Sequence, residues 1–134
     1  MEDIQNTVDK RGIDIQRVGV KEVHLPVLIA TKDGSFQQLL GKITAAANLP
    51  QQYKGTHMSR FMEVLVEWVQ KPISGRELKI MLTEIRRRLK ASSTDISMDF
   101  RYFIPVTAPV SGWQSPLDYP CQFWGRLSEK GYDF

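Results

Sequence analysis

The sequence is poor in the residue types that hold small proteins together without a large hydrophobic core. Its 134 residues include one cysteine and two histidines. Cys121 alone cannot form an intramolecular disulfide, and with His24 and His57 it cannot complete a four-ligand structural zinc site from this chain alone. We therefore expect the fold to depend on a hydrophobic core, which a chain of this length can bury.

Long apolar runs and a secretory leader are also missing. No apolar run reaches the roughly 18 residues that a transmembrane helix requires. The first ten residues, MEDIQNTVDK, lack the basic and apolar regions of a signal sequence. These observations predict a cytoplasmic protein that does not enter a membrane.

The excess of positive charge lies in a single segment. The formal net charge is +3, whereas residues 76–90 alone carry +4, from six basic and two acidic residues. The overall charge therefore does not imply binding to nucleic acid, and a run such as Arg86-Arg87-Arg88 is most often a solvated helix face. A basic adaptor for nucleic acid stays open as a hypothesis based on this run.

Two strands joined by a tight turn are predicted after a polar arm. Residues 1–17 have the composition of a solvated, flexible arm. Apolar residues then alternate in the sequence Val23, Leu25, Val27, Ile29 and again from residue 39 to residue 49, as they do in half-buried strands. Pro26 lacks a donor, which predicts an edge or a bulge there. Lys32-Asp33-Gly34-Ser35 predicts a hairpin turn.

Two helices follow. From Met58 the apolar residues fill an arc of about 200° on a helical wheel, wider than one buried stripe, so we expect this helix to contact two other elements before Pro72 ends it. Ser74 and Glu77 match the capping box S-x-x-E and predict a second helix start. Its apolar residues form one narrow stripe: Leu78, Met81, Leu82, Ile85 and Leu89.

Two more strands complete the predicted unit. Residues 94–104 and 117–127 alternate between apolar and other side chains. Between them, residues 105–116 contain three prolines and predict a rigid connection. The order β-β-α-α-β-β predicts an α+β fold over residues 18–134, in which two helices cover one face of an antiparallel four-stranded sheet.

One segment concentrates polar chemistry where a loop meets a helix. Residues 53–61 place Lys54, Thr56, His57, Ser59 and Arg60 at the start of the first helix. Unpaired N–H groups and the positive end of the helix dipole favour an anion there, and the two cations would add charge. The segment is therefore a candidate anion-binding site.

A purely structural interpretation of this segment also stays open. In it, Thr56 caps the helix and His57 is a hydrogen-bonded loop histidine. Arg60 then forms an ion pair with Glu63. For the remaining chemistry-bearing residues we expect His24 to be solvated or at an interface, and Cys121 to be a buried apolar thiol.

The run K-G-T-H-M-S-R-F at residues 54–61 resembles the type IB GTP cyclohydrolase family. Three further segments resemble that family in the same order: residues 18–23, Leu49-Pro50, and residues 107–119. The resemblance implies a tunnelling fold, in which sheet-and-helix units assemble side by side into a barrel with active sites between units. It implies hydrolysis of GTP to dihydroneopterin triphosphate and formate, the first step toward folate.

The resemblance also implies that a part is missing here. Family subunits contain two such units, and the second carries the metal-binding Cys and His and the carboxylate that anchors the pterin. None of those motifs occurs in this sequence. The resemblance therefore implies the N-terminal half of an enzyme that forms a homotetramer and uses zinc or manganese, with metal ligands outside this chain.

We hypothesise that Lys54, Arg60 and the helix start near Thr56 hold the triphosphate or order the pocket. His57 and Ser59 would donate hydrogen bonds, and His57 is the candidate catalytic residue, as a possible proton carrier. We expect the 134-residue chain to be inactive alone. The alternative is a non-catalytic tunnelling-fold module that binds a purine, a pterin or a protein partner.

Overall fold

A computed structural model describes residues 2–8, 14–50, 55–107 and 109–134. The elements are β1 (Glu2–Val8), β2 (Asp14–Ala30), β3 (Phe36–Leu49), α1 (Gly55–Val69), β4 (Pro72–Ile73), α2 (Gly75–Leu89), β5 (Ser93–Thr107), β6 (Gln114–Ser128) and β7 (Gly131–Asp133). The α+β class predicted from the sequence is confirmed.

The predicted four-stranded antiparallel sheet is wrong in strand number and in direction. Within the described ranges, seven strands form one sheet in the order β1-β2-β3-β5-β6-β7, and β4 pairs with β2 off this path. The β2–β4 pair is parallel, so the sheet is mixed. The alternation of apolar and polar residues did not reveal the added strands. Strands β4 and β7 are too short to show it, with two and three residues, and β1 lies in the polar segment at the start of the chain.

The turn between β2 and β3 forms as its sequence predicts. Gly34 has a φ of 84°, a conformation that glycine adopts without steric cost. The Gly34 N–H donates to the Thr31 carbonyl at 3.2 Å, and the Thr31 N–H donates to the Ser35 carbonyl at 2.9 Å. The Asp33 carboxylate accepts from the Ser35 N–H at 3.1 Å and fixes the turn further.

A β-bulge in β2 keeps its apolar residues on one face. The register with β3 shifts between Val20 and Val23, where Glu22 has a φ of 52° and its N–H donates to the Thr44 hydroxyl at 3.0 Å. The extra residue reverses the parity of the strand. Val18 and Val20 therefore face the same side as Val23.

Pro26 lies four residues beyond the bulge, where one side of β2 is unpaired. It faces Leu40 of β3. On the other side, β1 pairs with residues 14–19 and β4 with residues 28–29. Among the described residues no strand pairs with β2 between them on that side, and an edge of this kind tolerates a proline.

Both helices pack on the same face of the sheet. The predicted capping box forms, since the Glu77 carboxylate accepts from the Ser74 N–H at 3.0 Å, and the predicted apolar stripe of α2 is entirely buried. Helix α1 contacts α2, β2 and β4, as its wide apolar arc predicts. The sheet contributes buried residues to this core: Val27, Ile29, Ile43, Ala45, Leu49, Ile96 and Met98. We call the opposite face the helix-free face.

Strands β5 and β6 form a longer hairpin than the sequence predicts. Their ladder extends to Thr107 and Gln114, and Pro105 and Pro116 are partners within it. The prediction of a rigid connection over residues 105–116 is therefore wrong at both ends. The β3–β5 ladder already ends at Asp99, so the outer side of β5 is unpaired there and tolerates a proline.

The sheet splits beyond the last β3–β5 pair, Lys42 and Asp99. From there, within the part of the chain that the structure describes, β3 pairs only with β2, and β5 pairs only with β6. The side-chain amide of Gln37 bridges the split: its Nε2 donates to the Phe103 carbonyl at 2.7 Å, and its Oε1 accepts from the Phe103 N–H at 3.0 Å. The split leaves a groove on the helix-free face.

Candidate functional site

The structure describes only part of the segment that the sequence selects. Helix α1 begins at Gly55, earlier than the apolar pattern indicates. Lys54 lies outside the described residues, and of Thr56 only the backbone is described. Ser59 and Arg60 are exposed, whereas His57 is 6% exposed. Among the described side chains of the first two turns of α1, Ser59 therefore presents a hydroxyl and Arg60 a cation to solvent.

The structural interpretation of this segment receives partial support. His57 is buried beside Met58 at the edge of the core, and it has an interaction partner. An ion pair between Arg60 and Glu63 does not form in the described structure. Arg60 thus keeps a charge that no described carboxylate neutralises.

The three arginines at the end of α2 are engaged locally. Arg86 donates from Nε to the Ala91 carbonyl at 3.3 Å. Arg87 and Arg88 both bind the Glu84 carboxylate, at 2.8 and 2.9 Å, and the hydrogen bond from Arg87 is the main reason that the pKa of Glu84 is lowered. These contacts remove most of the support for a nucleic-acid surface.

A second candidate lies in the split of the sheet. It is an open groove of about 590 Å³ on the helix-free face, which we call the β3–β5 groove. Its lining residues are His24, Leu40, Lys42, Asp99, Phe100, Arg101, Pro120, Cys121 and Gln122. A volume of this size is typical of small-molecule sites.

Four polar residues cross the groove in one row. His24, Lys42, Asp99 and Gln122 are successive partners on β2, β3, β5 and β6. The Gln122 amide donates to Asp99 at 2.8 Å. The row therefore combines one cation, one carboxylate, one imidazole and one amide on a surface formed by four strands.

An ion pair borders the same groove. The Arg101 Nε lies 2.5 Å from the Asp118 carboxylate. The hydrogen bond from Arg101 lowers the pKa of Asp118, and the hydrogen bond to Asp118 raises the pKa of Arg101. Both side chains are therefore charged at neutral pH.

The described residues do not form a metal-binding site. No three His, Cys, Asp or Glu side chains of that part of the chain come together closely enough to hold one. Cys121 is a free, half-buried thiol that packs against the core, less buried than the sequence predicts. In the same ranges, no helix is long and apolar enough to cross a membrane.

Comparison with known proteins decides the family. The model of the family described as type I GTP cyclohydrolase folE2 matches residues 1–134. The GTP cyclohydrolase FolE2 of Syntrophus aciditrophicus is 44% identical over 134 residues, which are 100% of this chain and 52% of that protein. The FolE2 proteins of Citrifermentans bemidjiense and Pseudothermotoga lettingae are each 40% identical over the whole chain and are covered over 49% and 52% of their lengths.

The chain belongs to the GTP cyclohydrolase FolE2 family. It spans about half the length of the curated relatives it matches. The matched range includes residues 54–61, the run on which the family resemblance in the sequence rests. The match covers the β3–β5 groove as well as the start of α1.

Sequence reasoning did not identify the groove. Its residues come from four strands and lie in four separate parts of the chain, so no local motif contains them. The available signal was parity: His24, Lys42, Asp99 and Gln122 all lie opposite the apolar residues of their strands. Register between strands was needed to place them in one row.

Proposed function

We propose that this chain is the N-terminal half of a GTP cyclohydrolase, which converts GTP and water to dihydroneopterin triphosphate and formate in folate and pterin biosynthesis. One observation carries the proposal: the whole chain aligns with proteins named GTP cyclohydrolase FolE2 while covering about half of each. The run at residues 54–61 supports the finer type IB assignment and the tunnelling fold. We further propose a cytoplasmic homotetramer and a single folded unit, which includes β1 and the start of β2 in addition to the expected residues 18–134, so that residues 2–8 and 14–17 are not the solvated arm that their composition predicts.

The start of α1 is the proposed contribution of this half to substrate binding. Arg60 is exposed without a described ion-pair partner, and the helix N-terminus adds partial positive charge. In the proposal, Lys54, Thr56 and Arg60 hold the triphosphate and Ser59 donates a hydrogen bond. The free N–H groups and the dipole at the start of a helix are sufficient to bind a phosphate.

His57 has the most demanding role in this proposal. A proton carrier must come within hydrogen-bond reach of the reacting group, whereas His57 is 6% exposed. The catalytic role therefore requires that substrate or a partner surface reach the first turn of α1 and open it. A positioning role for His57 requires no such change.

The metal belongs to the parts of the enzyme outside this chain. The described residues bring together no group of metal-binding side chains, so we propose that zinc or manganese is held by the other half. What this half can supply is phosphate binding, hydrogen bonds and a wall that excludes water. We therefore expect no turnover from this half alone.

Complementation tests this function. The chain is mixed with the C-terminal half of the Syntrophus aciditrophicus relative, and formate release and pterin fluorescence are measured with GTP and divalent metal. We expect turnover by the complex and none by either half. Turnover by this chain alone would contradict the assignment as a half. A stable complex that binds a pterin without turnover would instead support the non-catalytic module.

Single substitutions in that complex test the site. Arg60→Ala and Lys54→Ala should each raise KM for GTP about ten-fold, the loss expected for one charge-assisted contact to phosphate. Arg76→Ala, which removes an exposed arginine from the start of α2, is the matched control. Unchanged kinetics after either site substitution would remove that residue from the proposal.

A further inference from the structure

The β3–β5 groove has unused hydrogen-bond donors. Lys42 is the direct cross-strand partner of Asp99, yet the two form no ion pair in the described structure. The Asp99 carboxylate accepts from Gln122 instead, at 2.8 Å. The ammonium group of Lys42, with three donors, therefore faces the groove without a described carboxylate on it.

Arg101 adds a second cation with unused donors. Its hydrogen bond to Asp118 runs through Nε. Within the described ranges, its two terminal nitrogens form no hydrogen bond. A guanidinium has five N–H donors, so most of them remain available. His24 contributes a further exposed imidazole to the same lining.

The surplus of donors over acceptors identifies the class of ligand. Two cations and an imidazole face two carboxylates that are both already hydrogen-bonded, Asp99 to Gln122 and Asp118 to Arg101. Phosphate oxygens are acceptors only, and they match both the point charge of lysine and the fork of arginine. Leu40 and Pro120 line the same groove and leave an apolar side for the rest of a ligand.

We propose that the β3–β5 groove is a binding site for a small phosphorylated anion, with Lys42 and Arg101 as its phosphate-binding residues. This site is separate from the start of α1. Lys42 precedes Leu49, the last residue of β3, by seven positions, which is about 23 Å along a strand. It also lies on the helix-free face, whereas α1 packs on the other face. The proposal does not depend on GTP cyclohydrolase activity.

Nuclear magnetic resonance titration of the 134-residue chain with inorganic triphosphate tests this site. We expect saturable shifts of the main-chain amides at residues 40–42 and 99–101. Lys42→Gln and Arg101→Gln should each weaken binding about ten-fold, since each removes a charge-assisted contact. A second titration with GTP distinguishes inorganic phosphates from nucleotides as ligands. If GTP binds more tightly than inorganic triphosphate, the apolar side of the groove binds a nucleoside.

A matched variant controls for general charge effects. Lys32→Gln removes the same charge from the exposed β2–β3 turn. It should change the affinity no more than two-fold. Equal weakening by Lys32→Gln and Lys42→Gln, shifts confined to residues 55–60, or absence of saturation at millimolar triphosphate would each overturn the proposal. Amide spectra of the free variants confirm that they fold.

Discussion

Gly19 lies where β2 and β3 approach too closely for any side chain. A Cβ atom added there would lie 2.1 Å from the Ala45 carbonyl oxygen and 2.7 Å from the Ala46 Cα. Both atoms belong to the backbone of the paired strand, so no side-chain rotation relieves the contact. We predict that Gly19→Ala strongly destabilises the protein.

The magnitude follows from the nature of the contact. Overpacking of a core costs about 1–3 kcal/mol when side chains can move, and here the strand itself must move. A loss of at least about 3 kcal/mol is expected. The free energy of unfolding falls by about 2 kcal/mol for each molar of urea, so the urea concentration at the unfolding midpoint falls by about 1.5 M. The melting temperature falls by roughly 10 °C.

Urea unfolding followed by circular dichroism measures this change. Gly75→Ala is the matched control, because a Cβ at Gly75 meets no atom within 4 Å and the position begins helix α2. That control should leave stability unchanged or raise it by up to about 1 kcal/mol. If Gly19→Ala unfolds within about 0.5 kcal/mol of the control, the close approach of β2 and β3 is wrong.

Three further predictions concern the helix cap, the split sheet and the metal. Hydrogen bonding from Ser74 lowers the pKa of Glu77 below 4.5, so its stabilisation is complete above that pH and is lost as pH falls through the lowered pKa. Glu77→Gln should therefore cost about 1 kcal/mol at pH 7 and progressively less below pH 4.5, measured by urea unfolding. Gln37→Ala removes two hydrogen bonds to Phe103 and should speed exchange of the Phe103 amide at least about ten-fold. A chelator should leave the unfolding midpoint of the chain unchanged, because metal binding contributes to folding only where ligands converge.

Each of these has a result that contradicts it. A stability difference for Glu77→Gln that is constant from pH 7 to pH 3 would mean that the negative charge of Glu77 does not contribute to the stabilisation. Unchanged exchange at Phe103 would show that Gln37 does not bridge the split. A chelator-induced loss of stability would place metal ligands within this chain, against the proposed division of the enzyme.

Local chemistry explains which elements the sequence predicts correctly. The capping box of Ser74 and Glu77 and the turn at Gly34 are complete within a few residues, so their structures follow from local sequence alone. Strand alternation succeeds wherever one face is buried. It also predicts correctly that residues 96, 98 and 100 face the core.

The errors arise where long-range pairing decides the structure. Strand β4 exists because the linker between the helices passes the free edge of β2 at Leu28 and Ile29, which no local pattern records. Residues 105–107 continue β5 because β6 pairs with them, although proline disfavours a central strand. The bulge at Glu22 likewise depends on its contact with Thr44 across the ladder.

The partners of the charged residues, more than their number, distinguish the candidate sites. The sequence draws attention to Arg86-Arg87-Arg88, yet Glu84 and the Ala91 carbonyl engage all three. Lys42 is an isolated cation in the sequence, and its strand neighbour Asp99 is held by Gln122 instead. A phosphorylated ligand gains most where a cation has no competing partner, because no existing ion pair must be broken. At Lys42 the β3–β5 groove therefore offers stronger grounds for anion binding than the most basic segment of the chain, and Arg101 would contribute the terminal nitrogens that its ion pair with Asp118 leaves unused.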